Sequence, residues 1–150
     1  MTSHLKYHPK HAEKLGYIVD TCATIEKVCC EIVAGLLKVS DEKAVAVIYA
    51  VQSSRSRFGI VEALTRGFAL ETIKKRTLQE IVTAHTLFKR RNDLVHNMWI
   101  SRRDKPRIYR AKAKPKARER AVSLRELDLL LTDLENCLDR LTSLSMIARA

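Results

Sequence analysis

The sequence contains few of the residues that build sheets, loops and cofactor cradles. Aromatic residues make up only 5% of the 150 positions, and there are three prolines and four glycines. Because 46% of the residues are nevertheless hydrophobic, the core must be aliphatic, which favours helix-on-helix packing over a sheet-based core. A chain of this length suits one compact domain, residues 1–150, better than two separate cores.

Several site motifs are also missing. There is no glycine-rich phosphate loop, no serine-nucleophile motif and no cysteine pair at zinc-finger spacing, so neither P-loop nucleotide hydrolysis nor a structural zinc site is expected. No metal and no other cofactor is predicted. Three of the four cysteines fall on or near one apolar stripe and are interpreted as small buried hydrophobes. These three are Cys22, Cys29 and Cys30, and the fourth cysteine is Cys137.

Long hydrophobic runs are absent as well. No stretch of about 18 uncharged apolar residues is present to span a bilayer, and the first residues do not resemble a signal peptide. The cytoplasm is therefore the expected compartment, and no membrane partner is expected.

Three long segments carry apolar residues at helical spacing. One runs from Leu15 to Leu36 in alternating steps of three and four, which is a coiled-coil-like stripe. A second extends from about Leu70 to near Trp99, and a third begins at the capping box 123–126. The apolar positions of the second segment are Ile73, Leu78, Ile81, Val82, Phe88 and Val95.

Shorter elements lie between the first two long segments. Ser40 is predicted to cap a helix through 44–51 that is apolar on most sides and therefore expected to be buried. The segment 53–59 is expected to break or kink the chain before a short helix that ends near Gly67. With residues 1–10 as a polar tail, the prediction is an all-α, up-and-down bundle of four or five helices.

Positive charge is concentrated between residues 101 and 120. Ten of the 28 lysines and arginines lie there against two acids, so this block carries +8 of the net charge of +11. Segment 100–121 also loses helical periodicity and is predicted to be a basic insertion, a loop or a short hairpin around 104–106. The block favours nucleic acid as a partner over an acidic membrane surface, while a solvated loop is the plainer alternative. The residues assigned to RNA binding are Arg102, Arg103, Arg107, Arg110, Lys112, Lys114 and Lys116.

An arginine and a histidine lie five positions apart at Arg91 and His96. These two residue types suit cleavage of RNA without a metal. An imidazole that titrates near neutrality exchanges a proton with the ribose 2′-OH or the leaving oxygen, and a guanidinium holds the phosphate. RNA supplies its own nucleophile, so no serine or cysteine is needed. The same spacing also arises by chance on helices without catalytic function.

Helix geometry constrains how this pair can act. Five residues on an ideal helix turn roughly 500°, which leaves the two side chains about 140° apart and about 7.5 Å apart along the axis. In one straight helix they would not converge on one phosphate. The helix must therefore kink or end between them, or a second chain must supply a partner, which favours a dimer with a shared site.

The arrangement Arg91-Asn92 followed by His96 resembles the motif of HEPN domains (higher eukaryotes and prokaryotes nucleotide-binding), helical bundles that carry an arginine, four to six residues and a histidine. The resemblance covers about ten residues as motif and most of the chain as architecture. It implies a metal-independent endoribonuclease, often a toxin or phage-defence (abortive infection) effector, that acts as a homodimer. On this resemblance Arg91 would orient the phosphate, His96 would be the general acid or base, and Asn92 would position the arginine or the RNA.

One residue departs from a branch of that family. Toxins paired with nucleotidyltransferase antitoxins typically have a tyrosine two residues after the histidine, where this chain has Met98. A protein antitoxin is still a possible partner, but one of the nucleotidyltransferase type is less expected. Some HEPN domains are inactive, so the alternatives are a non-catalytic RNA-binding or partner-binding helical protein and a helical scaffold.

Other residues have plainer interpretations. Three histidines near the start of the chain are spaced like metal ligands but are expected in an exposed tail. Another, His85, is interpreted as a core or interface histidine. Trp99 and Tyr109 flank the basic segment and could stack on bases, although Trp99 is expected to pack the end of the bundle. The three early histidines are His4, His8 and His11.

Overall fold

The computed structural model describes residues 4–110 and 119–150. Five α-helices dominate it, which confirms the predicted all-α class, and a small three-stranded sheet is additional. A short 3₁₀ helix, His4–Tyr7, precedes the first α-helix. The helices are α1 (Pro9–Leu37), α2 (Asp41–Tyr49), α3 (Ser54–Phe68), α4 (Glu71–Val95) and α5 (Leu124–Arg149), and the strands are β1 (Met98–Arg102), β2 (Lys105–Tyr109) and β3 (Glu119–Ala121).

The first and last helices, α1 and α5, lie side by side and run in the same direction. Lys14 near the start of α1 pairs with Asp128 near the start of α5. At their other ends Gly35 packs against the backbone of Ala148, and a Cβ on Gly35 would lie 2.7 Å from the Ala148 carbonyl. The missing side chain of Gly35 therefore permits the close approach of the two helices.

Helix α4 runs in the opposite direction to α5. Arg90 pairs with Asp133 at 2.7 Å, and Arg140 pairs with Glu80 at 2.8 Å. The later residue of α4 therefore pairs with the earlier residue of α5, as in an antiparallel pair of helices. The side chains between these helices are aliphatic, as the apolar stripes predict, and fully buried examples are Ile81, Leu94, Leu127, Leu130, Leu134 and Leu141.

Helix α2 runs back along α1, and α3 then runs in the direction of α1 again. Asp41 at the start of α2 pairs with Arg149, and Tyr49 at its end donates a hydrogen bond to Glu26, midway along α1. Ser54 at the start of α3 donates to the same Glu26 at 2.6 Å. The direction of the chain thus alternates through five helices, in agreement with the predicted up-and-down bundle.

Two expectations about α2 and α3 were wrong. Helix α2 was expected to be buried, but only Ala44 and Ile48 are buried, while Val45 and Val47 are exposed because α2 packs with one face only. The chain breaks before residue 53 rather than over 53–59. The reason is that the Ser53 hydroxyl caps α3 by accepting a hydrogen bond from the backbone N–H of Ser56.

The described first part of the basic insertion forms a hairpin, which confirms one of the two forms predicted for it. β1 and β2 pair antiparallel through a two-residue turn at Arg103 and Asp104, whose φ values are 52° and 57°. Both residues lie in the left-handed region that a type I′ turn requires. β3 then pairs with the other side of β2, with Tyr109 opposite Glu119. The sequence pattern does not predict this third strand.

Two of the three early histidines, His8 and His11, contact the sheet region, which corrects the expectation that they lie in an exposed tail. His8 Nε2 lies 3.2 Å from the Ser101 hydroxyl oxygen. His11 Nε2 donates to the Val122 carbonyl at 3.2 Å, and its ring contacts Trp99 edge-on. Two of the three early histidines thus attach α1 to the sheet.

In residues 4–110 and 119–150, no helix combines the length and the apolar character needed to cross a bilayer.

Candidate active site at the end of helix α4

Helix α4 is unbroken from Glu71 to Val95, and His96 is its C-cap. The His96 backbone N–H donates to the Asn92 carbonyl at 3.0 Å. Beyond it the chain turns into β1, and the Trp99 indole N–H donates to the carbonyl of buried Leu94 at 2.8 Å. The helix therefore ends four residues before the predicted end near Trp99, and Trp99 packs the end of the bundle as expected.

Arg91 lies on the side of α4 that faces α1. Its guanidinium carbon is 5.2 Å from the ring centre of Phe88, and its Nε is buried without a hydrogen-bond partner among the described residues. It also contacts the thiol of Cys22. Burial raises the pKa of that thiol, although the hydrogen bond and positive charge of Arg91 oppose the rise. A half-buried arginine with no carboxylate partner in the described part of the chain is poised for an anionic ligand.

Asn92 and His96 lie on a different side of α4 and are both exposed. Neither side chain has a hydrogen-bond partner within the ranges that the structure describes. Since α4 continues without a break to Val95, the turn of about 140° between Arg91 and His96 is kept. Within one chain the two side chains therefore do not converge on one phosphate.

Asn92 and His96 belong to a stripe that runs along the outer face of α4. The stripe follows the spacing of a heptad seam, in steps of three and four. Val82, at the start of the stripe, is 62% exposed, so one apolar position of the predicted helix lies on the surface. Hereafter the outer face of α4 means the residues Val82, His85, Lys89, Asn92 and His96.

His85 borders a groove between α3 and α4 of about 250 Å³. Burial lowers its pKa, and the positive charges of Lys89 and Arg55 lower it further, while Glu62 opposes them. The His85 ring lies 6.3 Å from that of Phe58. His85 is thus a partly buried histidine at a surface groove rather than a residue of the sealed core.

Asp93 was not singled out by the sequence, although it lies inside the motif. Its carboxylate pairs with Arg110 and with Arg120 at 3.1 Å, and its Oδ1 accepts a hydrogen bond from Asn97 at 3.1 Å. Burial disfavours the ionised form, but the hydrogen bonds and charges of the two arginines outweigh it and lower the pKa of Asp93. The available signal was one carboxylate within a strongly basic stretch.

The side chains assigned to RNA binding divide between the two faces of the sheet. Alternate residues of a strand point to opposite faces. Trp99, Ile108 and Arg120 occupy paired positions and face the bundle. Arg110 also points inwards to Asp93, so it is a structural ion-pair partner. Arg102 and Arg107 lie on the opposite face, Arg103 lies in the turn, and Lys112, Lys114 and Lys116 lie outside the described residues.

The described ranges contain neither a cluster of metal ligands nor an exposed thiol. No group of three or more His, Cys, Asp or Glu side chains is placed there to hold a metal ion. All four cysteines are free and buried, which confirms the prediction for the three in α1. Burial raises the pKa of Cys137 to about 12. No protein-family model matches this chain, and neither does any curated protein or solved structure.

Proposed function

We propose that the protein is a metal-independent endoribonuclease of the HEPN type that acts as a homodimer. The observation that carries the proposal is the environment of the motif. Arg91 is half-buried without a carboxylate partner in the described ranges, and Asn92 and His96 are exposed on the outer face of α4. An arginine whose charge no carboxylate neutralises in the described ranges and a histidine open to solvent are the two groups that RNA cleavage needs.

The outer face of α4 supports the dimer. A seam of residues spaced by three and four suits packing against a second helix, and Val82 would gain burial there. In a two-fold arrangement the same patch of each copy meets the other. Two His96 side chains and two Asn92 side chains would then line one cleft, with an Arg91 at each side. This arrangement overcomes the angular separation within one chain.

The chemistry follows from this cleft. One His96 would take the proton of a ribose 2′-OH, and the 2′ oxygen would bond to the adjacent phosphorus. The bond from phosphorus to the 5′ oxygen would break, with His96 of the second copy protonating the leaving oxygen. Arg91 would stabilise the negative charge that develops on the phosphate oxygens. The products would be a 2′,3′-cyclic phosphate and a free 5′-hydroxyl.

Such an enzyme would act on RNA in the cytoplasm, as a toxin or phage-defence effector, and a protein antitoxin would hold it in check. Neither the chemistry nor the site needs a cofactor.

The test is cleavage in the presence of EDTA. The purified protein should cut RNA but not an all-deoxy strand of the same sequence, because the latter lacks the 2′-OH. His96→Ala should abolish cleavage while circular dichroism shows unchanged helicity. The matched control is His4→Ala, at an exposed histidine that is distant in sequence from His96. This variant should leave cleavage unchanged. Full activity of His96→Ala would disprove the assignment.

A second candidate function is non-catalytic RNA binding, which the exposed arginines of the sheet favour. It predicts salt-dependent binding that persists in His96→Ala. Under this alternative the unaltered protein would bind RNA and leave it intact.

A further inference from the structure

The face of the sheet turned away from the bundle combines cations with an aromatic ring. Arg102 at the end of β1 is opposite Lys105 at the start of β2, and Arg107 and Tyr109 follow at alternate positions along β2. Glu119 of β3 is opposite Tyr109. Strand alternation thus places these five side chains on one surface, here called the outer face of the sheet.

The cations of this face surround an open depression of about 530 Å³. Among the described residues its lining is entirely basic and consists of Arg102, Arg103, Lys105 and Arg107. Neither Arg103 nor Lys105 has a carboxylate partner in the described ranges. Four positive charges around one depression attract a phosphate group strongly.

Glu119 is the only acid that forms ion pairs with these cations in the described ranges, and it pairs with only two of the four. A single oxygen, Glu119 Oε2, lies 3.2 Å from Arg102 Nη1 and 3.5 Å from Arg107 Nε. The second contact lacks hydrogen-bond geometry, because Arg107 Nε is buried without a hydrogen-bond partner in that part of the chain. A buried donor without a hydrogen-bond partner costs free energy. A phosphate oxygen at this position would satisfy it.

We propose that the outer face of the sheet binds single-stranded RNA, with a backbone phosphate displacing Glu119 from Arg102 and Arg107 and a base stacking on Tyr109. Glu119 is then a built-in competitor that occupies the phosphate site while the RNA is absent. Tyr109 is partly exposed. Unpaired bases stack readily on accessible aromatic rings, whereas the bases of a duplex are already stacked on one another. The choice of RNA rests on the proposed function.

The experiment is a binding titration in the His96→Ala background, so that cleavage does not interfere. The probe is a fluorescein-labelled oligouridylate read by anisotropy at several salt concentrations. Arg107→Ala should weaken binding about tenfold or more and reduce the salt slope by about 0.7. Glu119→Gln should tighten binding roughly two- to fivefold, because the competing carboxylate is gone. Tyr109→Leu should weaken it roughly fivefold or more, with a smaller loss for a duplex probe.

The Asp41–Arg149 ion pair at the far end of the bundle supplies matched controls. Asp41→Asn makes the same charge change as Glu119→Gln, and Arg149→Ala the same as Arg107→Ala. Both should change affinity by less than about twofold. If Glu119→Gln binds no more tightly than Asp41→Asn, Glu119 is not a competitor and the inference fails.

The outcomes separate this inference from the proposed function. Binding with the stated pattern, combined with no cleavage by the unaltered protein, would leave the inference standing and overturn the ribonuclease. Cleavage that depends on His96, combined with binding that ignores Arg107, Glu119 and Tyr109, would do the reverse. Absence of any RNA binding would overturn both.

Discussion

Arg120 Nη2 lies 3.1 Å from Asp93 Oδ2, which joins β3 to the last turn of α4. The same guanidinium donates through Nη1 to Glu126 Oε2 at 2.8 Å, in the first turn of α5. One arginine therefore connects the helix that carries the motif, the sheet and the last helix. The position of the sheet relative to His96 depends on this connection.

Removing the charge of Asp93 should loosen that connection. In Asp93→Asn, Arg110 and Arg120 lose their shared counter-charge, and we expect the free energy of unfolding to fall by about 1–3 kcal/mol. Denaturant titration measures the change. The control is Asp133→Asn, which removes the half-exposed partner of Arg90 and should cost no more than about 1 kcal/mol. Equal losses in the two variants would show that Asp93 is an ordinary surface acid.

Stability should fall on mild acidification because of His11. Burial lowers the pKa of His11 below its ordinary value of 6.5, the positive charge of His8 adds to this, and the hydrogen bond to Val122 opposes it. The folded state therefore prefers the neutral ring. Its contribution is fully present above pH 6.5 and is lost as the pH falls through the lower pKa of the folded state.

Denaturant titrations between about pH 8 and about pH 5, roughly 1.5 units on either side of the ordinary histidine pKa of about 6.5, measure this effect. The unfolding free energy of His11→Gln should depend less on pH than that of the unaltered protein. His4→Gln, at an exposed histidine, should keep the original dependence. A pH dependence in His11→Gln as steep as in the unaltered protein would contradict the assignment.

The dimer proposal predicts a large effect of one surface residue. Val82→Glu places a charge on the seam of the outer face of α4, next to its counterpart in the second copy. We expect a monomer by light scattering, with RNA cleavage lost and helicity retained. Val47→Glu introduces the same charge at a valine of α2 that is 43% exposed, and should stay dimeric and active. An active Val82→Glu dimer would place the interface elsewhere.

Two glycines of α1 should respond to alanine in opposite directions. At Gly35 an added Cβ would lie 2.7 Å from the Ala148 carbonyl, so α1 and α5 must separate, at a cost of about 1–3 kcal/mol. At Gly16 nothing lies within 4 Å of an added Cβ, and the lower entropy of the unfolded alanine chain should stabilise the protein by about 0.5–1 kcal/mol. Thermal and denaturant unfolding measure both. Stabilisation by Gly35→Ala would contradict the close packing.

The long helices were predictable because their signals are local. The stripe of α1 is visible in the spacing of its apolar residues, and the Ser123 hydroxyl accepts a hydrogen bond from the Glu126 N–H at 3.1 Å, as its capping box predicts. The hairpin was indicated by apolar pairs on both sides of polar turn residues. Local signals do not reveal which apolar side chains remain exposed, so the pattern that lists Ile81 and Val82 together does not show that Ile81 is buried and Val82 exposed.

The site was less predictable than the fold. Arg91, Asn92 and His96 were identified from residue type and resemblance, and their exposure and the continuity of α4 needed the structure. Whether an arginine is free depends on tertiary partners. The Nε atoms of both Arg107 and Arg110 are buried without a hydrogen-bond partner among the described residues. Arg110, however, forms a hydrogen-bonded ion pair with Asp93, which is 17 positions earlier, whereas Arg107 has only the 3.5 Å contact with Glu119 in the same ranges. Nothing in the sequence distinguishes these two arginines.

The parallel course of α1 and α5 has an electrical consequence. Both helices begin at the sheet, where α4 ends, so that end of the bundle holds two helix N-termini and one C-terminus. Each N-terminus carries a partial charge of about +0.5 and each C-terminus about −0.5. An odd number of alternating helices cannot cancel its dipoles in pairs. The backbone itself therefore adds positive potential near the arginines of the sheet, independently of every side chain.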